Sequence, residues 1–267
     1  MKIKTTRIFL ALSTILIASL CQLNAQTVTV DNYYNHETKK DADGKMTDFH
    51  YLWNDTESTG FSIFGAAFKK NGAKNLTVLT EAPTAENLKN TDVFIIVDPD
   101  HVGDNPTPNY MNDKDATAIA QWVKNGGVLL LMTNDKENAD LTHFNALPSK
   151  FGFTFNMDLI LFVKDDAHFD DGGLSTKGNP VFKSASHIFI KNACSINIID
   201  KSVQPVLKTN DGKVAMVSVK YGKGMVLAVG DPWLYNEYTN GRLPVKFEND
   251  KAADDIAAWL LSKAKKK

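Results

Sequence analysis

Val93-Phe94-Ile95-Ile96-Val97-Asp98-Pro99-Asp100-His101 is an unbroken apolar run that ends in carboxylates, a proline and a histidine. A strand with one wet face alternates apolar and polar residues. A run without alternation belongs to a strand buried on both faces, as in a parallel sheet covered by helices. The same shape recurs at Val128–Met132, followed by Thr133-Asn134-Asp135, and at Met225–Val229, followed by Gly230-Asp231-Pro232-Trp233. Thr27–Val30 and Leu76–Leu79 add two further strands. Helical stretches lie between these runs. Phe61–Lys70 sets Phe61, Phe64 and Phe68 on one face and meets Gly72, while Asp115–Lys124 turns Ile119, Trp122 and Val123 inward and ends at Gly126-Gly127. Thr142 is placed to cap a helix running to Phe151, and a last helix over about Asp250–Lys263 carries the stripe Ile256, Trp259 and Leu260. Strands alternating with helices predict an α/β domain with a doubly wound, mostly parallel sheet.

After Gly152 the pattern changes. Ile188–Lys191, Ile196–Ile199, Val203–Leu207 and Val214–Tyr221 read as strands, and Asn210-Asp211-Gly212 is a hairpin turn between the last two. Residues 153–224 are therefore expected to form an antiparallel β extension of the sheet. Composition agrees with a single globular domain over residues 26–267: 43% hydrophobic and 23% charged, with no repeat or linker. A formal net charge of -1 lacks the basic surplus of a nucleic-acid binder. Residues 1–25 read as a secretory signal peptide: Lys2, Lys4 and Arg7 precede the short apolar run Ile8–Leu20, and Ala25 offers a small residue before Gln26. Export to the periplasm is the expectation. No segment is long and apolar enough to predict a membrane span. With Cys21 in the signal, Cys194 is expected to be a buried, inert thiol.

In an open α/β sheet, ligands bind outside the carboxyl ends of the strands. Four such exits carry polar and aromatic clusters: Asp31–Glu37, Asp98–His101, Thr133–Asp135 and Gly230–Tyr238, with Phe49–Trp53 as a fifth nearby. Aromatic faces mixed with carboxylates and amides suit a sugar ring and its hydroxyls. Tyr51 and Trp233 are candidate platforms. Asp98, Asn134, Asp231, Asn236 and Glu237 are candidate partners of hydroxyls. His50 and His143 are candidates for proton transfer, Tyr235 for the complementary acid, and Arg242 for a substrate carboxylate. His36, His168 and His187 read as structural or solvent-facing, and His101 as a surface residue. Asp98, Asp100 and Asp231 read as turn formers rather than cation ligands, and no His or Cys spacing suggests zinc. No phosphate-binding loop, dinucleotide fingerprint or Gly-x-Ser-x-Gly elbow is present.

Asp31–Glu37, Phe49–Trp53, Val97–Asp100, Asn134-Asp135, Thr142–Asn145 and above all Gly230–Tyr238 together resemble the domain appended to unsaturated rhamnogalacturonyl hydrolases of bacterial polysaccharide utilisation. That family also has stand-alone members, among them a dehydratase of ulvan oligosaccharides. More distantly the layout is similar to class I glutamine amidotransferases, which implies a flavodoxin-like, amidotransferase-like sheet. The amidotransferase nucleophile has no counterpart here: Thr133-Asn134-Asp135 stands in its place. The resemblance implies a cofactor-independent lyase that removes water from a terminal uronate of an acidic oligosaccharide. It supplies the reaction, whereas the residue roles above rest on strand-exit position and chemistry. Two other readings stand beside it: a non-catalytic sugar-binding module, and a glycoside hydrolase with Asp231 or Glu237 opposite Asp98.

Overall fold

The computed structural model describes residues 26–264, so the signal-peptide reading of residues 1–25 lies outside the described residues. Seven strands make one sheet: β1 (Thr27–Asp31), β2 (Asn75–Leu79), β3 (Val93–Val97), β4 (Val128–Met132), β5 (Gln204–Lys208), β6 (Val214–Tyr221) and β7 (Gly224–Val229). Their order across the sheet is β5-β6-β7-β4-β3-β1-β2. β2, β1, β3, β4 and β7 run parallel; β6 turns back antiparallel on β7, and β5 on β6.

The apolar run that opened the sequence reading is buried on both faces, as expected. Val93, Ile95 and Val97 of β3 join a core with Phe61, Phe64 and Phe68, while Phe94 and Ile96 point the other way. This is the two-residue period of a strand acting in two cores at once. The first core is closed by helices α1 (Ser62–Lys70) and α4 (Asn249–Lys263), the second by α2 (Asp113–Asn125). All side chains of β3 and β4 are fully buried, each contributing roughly 2 kcal/mol of apolar burial.

Three expectations are corrected. α2 begins before Asp115, because the Asn112 side chain caps it by accepting from Asp115 N at 3.0 Å. The helix expected from Thr142 to Phe151 is broken. Asp140, not Thr142, caps the short α3 (Leu141–Phe144), and Pro148 starts a separate 3-10 turn over Pro148–Phe151. The β-rich region joins the main sheet only through β5 and β6. Phe153–Phe155 pairs with Ile196–Ile198, and Gly173–Ser175 with His187–Phe189, as separate two-stranded pieces. An exposed hairpin, Thr38–Lys40 with Met46–Asp48, has no apolar alternation and was invisible to periodicity. Among the described residues no helix is long and apolar enough to cross a membrane.

Candidate active site

The parallel strands end level with one another. Val97 pairs with Met132, and Met132 with Val229, so the residues that follow share one edge of the sheet. β1 lies between β2 and β3, and the chain passes to opposite sides of it. The exits of β1 and β3 therefore flank the crevice where doubly wound sheets bind ligands.

Asp98 is the centre of that edge. Its N–H donates to Met132 O at 2.7 Å, which fixes it against the end of β4. Tyr51 Oη donates to Asp98 Oδ2 at 2.7 Å, Asn134 Nδ2 reaches the same oxygen at 3.4 Å, and Asn35 Nδ2 donates to Asp98 O at 2.7 Å. The loops after β1, β3 and β4 and the 49–53 segment thus meet at one residue, Tyr51 and Asn134 on its carboxyl and Asn35 on its backbone carbonyl. Beside it, His50 Nδ1 lies 2.8 Å from Glu37 Oε1, both side chains being largely buried. A carboxylate on Nδ1 favours the tautomer with hydrogen there, which leaves the Nε2 lone pair as a base. Tyr235 completes the group, its ring 6.0 Å from Tyr51 and 4.9 Å from Tyr238.

Backbone strain is concentrated here. Among the described residues five non-glycines have positive φ, and three of them are His50 (67°), Tyr51 (51°) and Asp98 (44°). Each lacks the glycine that would relieve it, and such residues persist where surrounding contacts over-determine the backbone, often at functional sites. The loops are also rich in unspent hydrogen-bonding capacity. Buried side-chain oxygens of Asp31, Asn35, Asp98 and Asp100 have no hydrogen-bond partner among the described residues.

Burial sets the protonation states. It raises Asp98 to about 7, against the opposing pull of Tyr51, Asn134 and the His50 charge. Burial likewise raises Asp31 to about 7 and holds Asp231 well above the carboxylate range, Asp98 and Asp135 adding to the latter. Tyr51 is pushed well above its usual value by burial and by the Asp98 carboxyl, so its phenol remains a proton donor. Tyr235 is raised by burial and by Tyr238. One edge therefore offers a base at His50 and neutral acids at Tyr51, Tyr235 and Asp98, the pairing that acid–base chemistry needs.

Other predicted residues lie elsewhere or serve other ends. Trp233 is wholly buried and packed near Phe182, so it has no face to offer a sugar. Asn236 is also buried: it accepts from Ile63 N at 2.9 Å and donates to Ser62 Oγ at 2.8 Å, capping α1 from a distance, since Phe61 supplies no side-chain cap. His143 is bound through Nδ1 to Asp140 at 3.0 Å and stacked on Tyr110 at 4.1 Å instead of joining the Asp98 group. Asp231 borders the group but is held by Lys191 N at 2.9 Å. Arg242 lies over Tyr238 at 5.9 Å, with its charge taken by Glu237 and by Asp166 at 2.9 Å. Sequence reasoning missed Glu37 as the partner of His50. It also missed the bracing of His36 and Asp100 by Asn105, whose Nδ2 lies 2.9 and 2.8 Å from them. Cys194 is buried as expected, 3.3 Å from Thr133 Oγ1, and burial pushes its thiol up to about 12, which keeps it from acting as a nucleophile.

No family model and no curated protein matches the chain. Solved structures do. The mmIFT52 N-terminal domain superposes with a TM-score of 0.63 at 14% identity, over 89% of this chain and 98% of that one. A cytoplasmic protein of Salmonella typhimurium LT2, STM1381, gives 0.57 at 12% identity, over 90% and 100%. The chain shares its fold with these proteins. A β-galactosidase of Bacillus circulans sp. alkalophilus gives 0.50 at 12% identity, and there the chain spans only 31% of the larger protein. At such identities the likeness concerns the fold, and the chemistry has to be read from the residues.

Proposed function

We propose that the protein is a carbohydrate lyase that removes water from a terminal uronate of an ulvan-type oligosaccharide, leaving a 4,5-unsaturated end. The observation that carries this reading is the strained His50–Glu37 pair set beside the Tyr51–Asp98 hydrogen bond at the β1/β3 crevice. His50 Nε2 takes the proton from C5, the C5–H electrons form the new C4–C5 double bond, and the C4 hydroxyl leaves with the proton of the Asp98 carboxyl, whose carboxylate keeps the Tyr51 hydrogen bond. The imidazolium then returns its proton to the acid through solvent. Hydroxide leaves poorly and the C5 proton is weakly acidic, so both groups are required. Glu37 holds the imidazole and offsets the charge it gains. Arg242 is not assigned to the substrate carboxylate in this scheme, because it lies over Tyr238 with its charge already shared by Glu237 and Asp166.

The sheet order supports a flavodoxin-like, amidotransferase-like assignment, and the reaction belongs to the periplasm after signal removal. A glycoside-hydrolase reading draws on Asp98 and Asp231, whose charges interact. Both carboxyls are raised by burial, though, which gives two acids, and Glu237, the other carboxylate of that reading, is taken by Arg242. The test is to incubate residues 26–267 with uronate-terminated ulvan fragments. Loss of one water in product mass, with new ultraviolet absorbance from the conjugated enoate, is expected. Release of a free sugar without unsaturation selects hydrolysis, and binding without turnover selects an accessory module.

A further inference from the structure

A cavity of about 520 Å³ opens between residues 159–162, residues 170–174 and the turn 209–213. Two observations mark it out. First, the positive-φ non-glycines not used by the Asp98 group are Leu161 (53°), which lines the cavity, and Asn192 (54°), directly behind it. They are pinned together: Asn192 N donates to Leu161 O at 2.9 Å, and Val163 N donates to Asn192 Oδ1 at 3.1 Å. Second, this held backbone turns Phe162 outward, 58% exposed, on the cavity wall. Strain spent on keeping an aromatic ring in water is the reverse of what packing alone would select.

Beside Leu159, Ile160 and Leu174, the wall carries polar groups. Asp170, Asp171, Asn210 and Asp211 offer hydrogen-bond acceptors, and Lys213 offers a cation. An exposed ring that shares a cavity with hydrogen-bond acceptors matches a pyranose, with its apolar C–H face and its ring of hydroxyl donors. The volume falls within the range of small-ligand sites, roughly 300–1,000 Å³. The cavity is also tied to the candidate active site. Lys191, next to Asn192, holds Asp231 at 2.9 Å, and Lys246 and Arg242 fasten the 166–170 segment to the loop after Tyr238.

We infer that this cavity is a distal sugar-binding subsite, which takes a ring of the oligosaccharide away from its reacting end with Phe162 as the platform. The inference rests on the carbohydrate reading above. Binding and turnover are therefore measured separately, on wild type and Phe162→Ala, with uronate-terminated oligosaccharides of graded length. Phe162 is exposed, so the variant should keep the wild-type melting temperature. Longer oligosaccharides are expected to bind wild type more tightly than the shortest one. Phe162→Ala should weaken the longer ones by about tenfold and leave the shortest unchanged. Turnover of the shortest substrate should also be unchanged. Length-dependent binding lost in the variant, with no turnover by either protein, keeps the subsite and rejects the lyase. Turnover with no effect of chain length or of the substitution rejects the subsite alone. Failure of wild type to bind any of the oligosaccharides rejects both.

Discussion

Replacing Asp98 with asparagine should make the protein more stable at neutral pH while stopping its chemistry. The carboxyl is buried, and its value is raised from 3.8 to about 7. A group raised on folding stabilises the folded state fully below its unfolded value, and that contribution is lost as pH climbs through the folded one. Wild type should therefore lose stability between about pH 4 and about pH 7 and then level off, the whole loss being about 4 kcal/mol as an upper bound. Asparagine does not titrate and escapes this loss. It has a cost of its own. Its oxygen must face the donors Tyr51 and Asn134, which leaves the amide N–H₂ where Oδ1 has no partner now. An unsatisfied buried donor costs about 1–3 kcal/mol. The net gain above neutrality is then about 2 kcal/mol, or several degrees in melting temperature for a chain of this size. Asp31 and Asp231 are raised too and bend both curves; because Asp98 itself helps raise Asp231, the difference between variant and wild type reports position 98 together with its coupling to Asp231. Thermal and urea melts at intervals across the range give that difference directly. A gap that stays flat with pH, or a variant less stable than wild type at about pH 8, would refute the assignment of Asp98 as a carboxyl kept neutral by burial.

Three further outcomes follow from the same contacts. Glu37→Gln should lower kcat by about 10²–10³ with little change in KM, because it disturbs the tautomer and charge of His50 rather than the sugar contacts; steady-state kinetics on uronate oligosaccharides would show the split. Trp233→Ala should cost about 3–5 kcal/mol in urea unfolding, whereas the residual folded protein binds sugar as before, since the indole is sealed in the core. Cys194, with its thiol raised to about 12 and no exposed surface, should resist an aromatic disulfide reagent in the native state and react at the rate of unfolding once denaturant is added; prompt native labelling would contradict its burial.

How much was legible in the sequence follows from what each signal depends on. β3 and β4 were readable because burial on both faces leaves a residue-by-residue mark, and no other element of that length produces it. The candidate edge followed from parallel direction, with the 49–53 segment added from its place before α1, and Tyr51, Asp98 and Asn134 do meet there. Orientation was the part that composition could not give. Trp233 sits among polar neighbours in the chain, yet its ring turns into the core while Asp231, two residues earlier, is held by Lys191 N. His143 and His50 look alike in sequence. Their difference is that His50 lies in a left-handed turn, which folds the 49–53 segment back so that a residue thirteen positions earlier, Glu37, becomes its partner. Such a turn usually announces itself by glycine, and here it is made by His50 and Tyr51 against their own preference. The most informative feature of the site is thus the one that local propensity argues against. A strained backbone without glycine can be kept only where the contacts of the whole fold hold it, so it becomes visible when the fold is assembled.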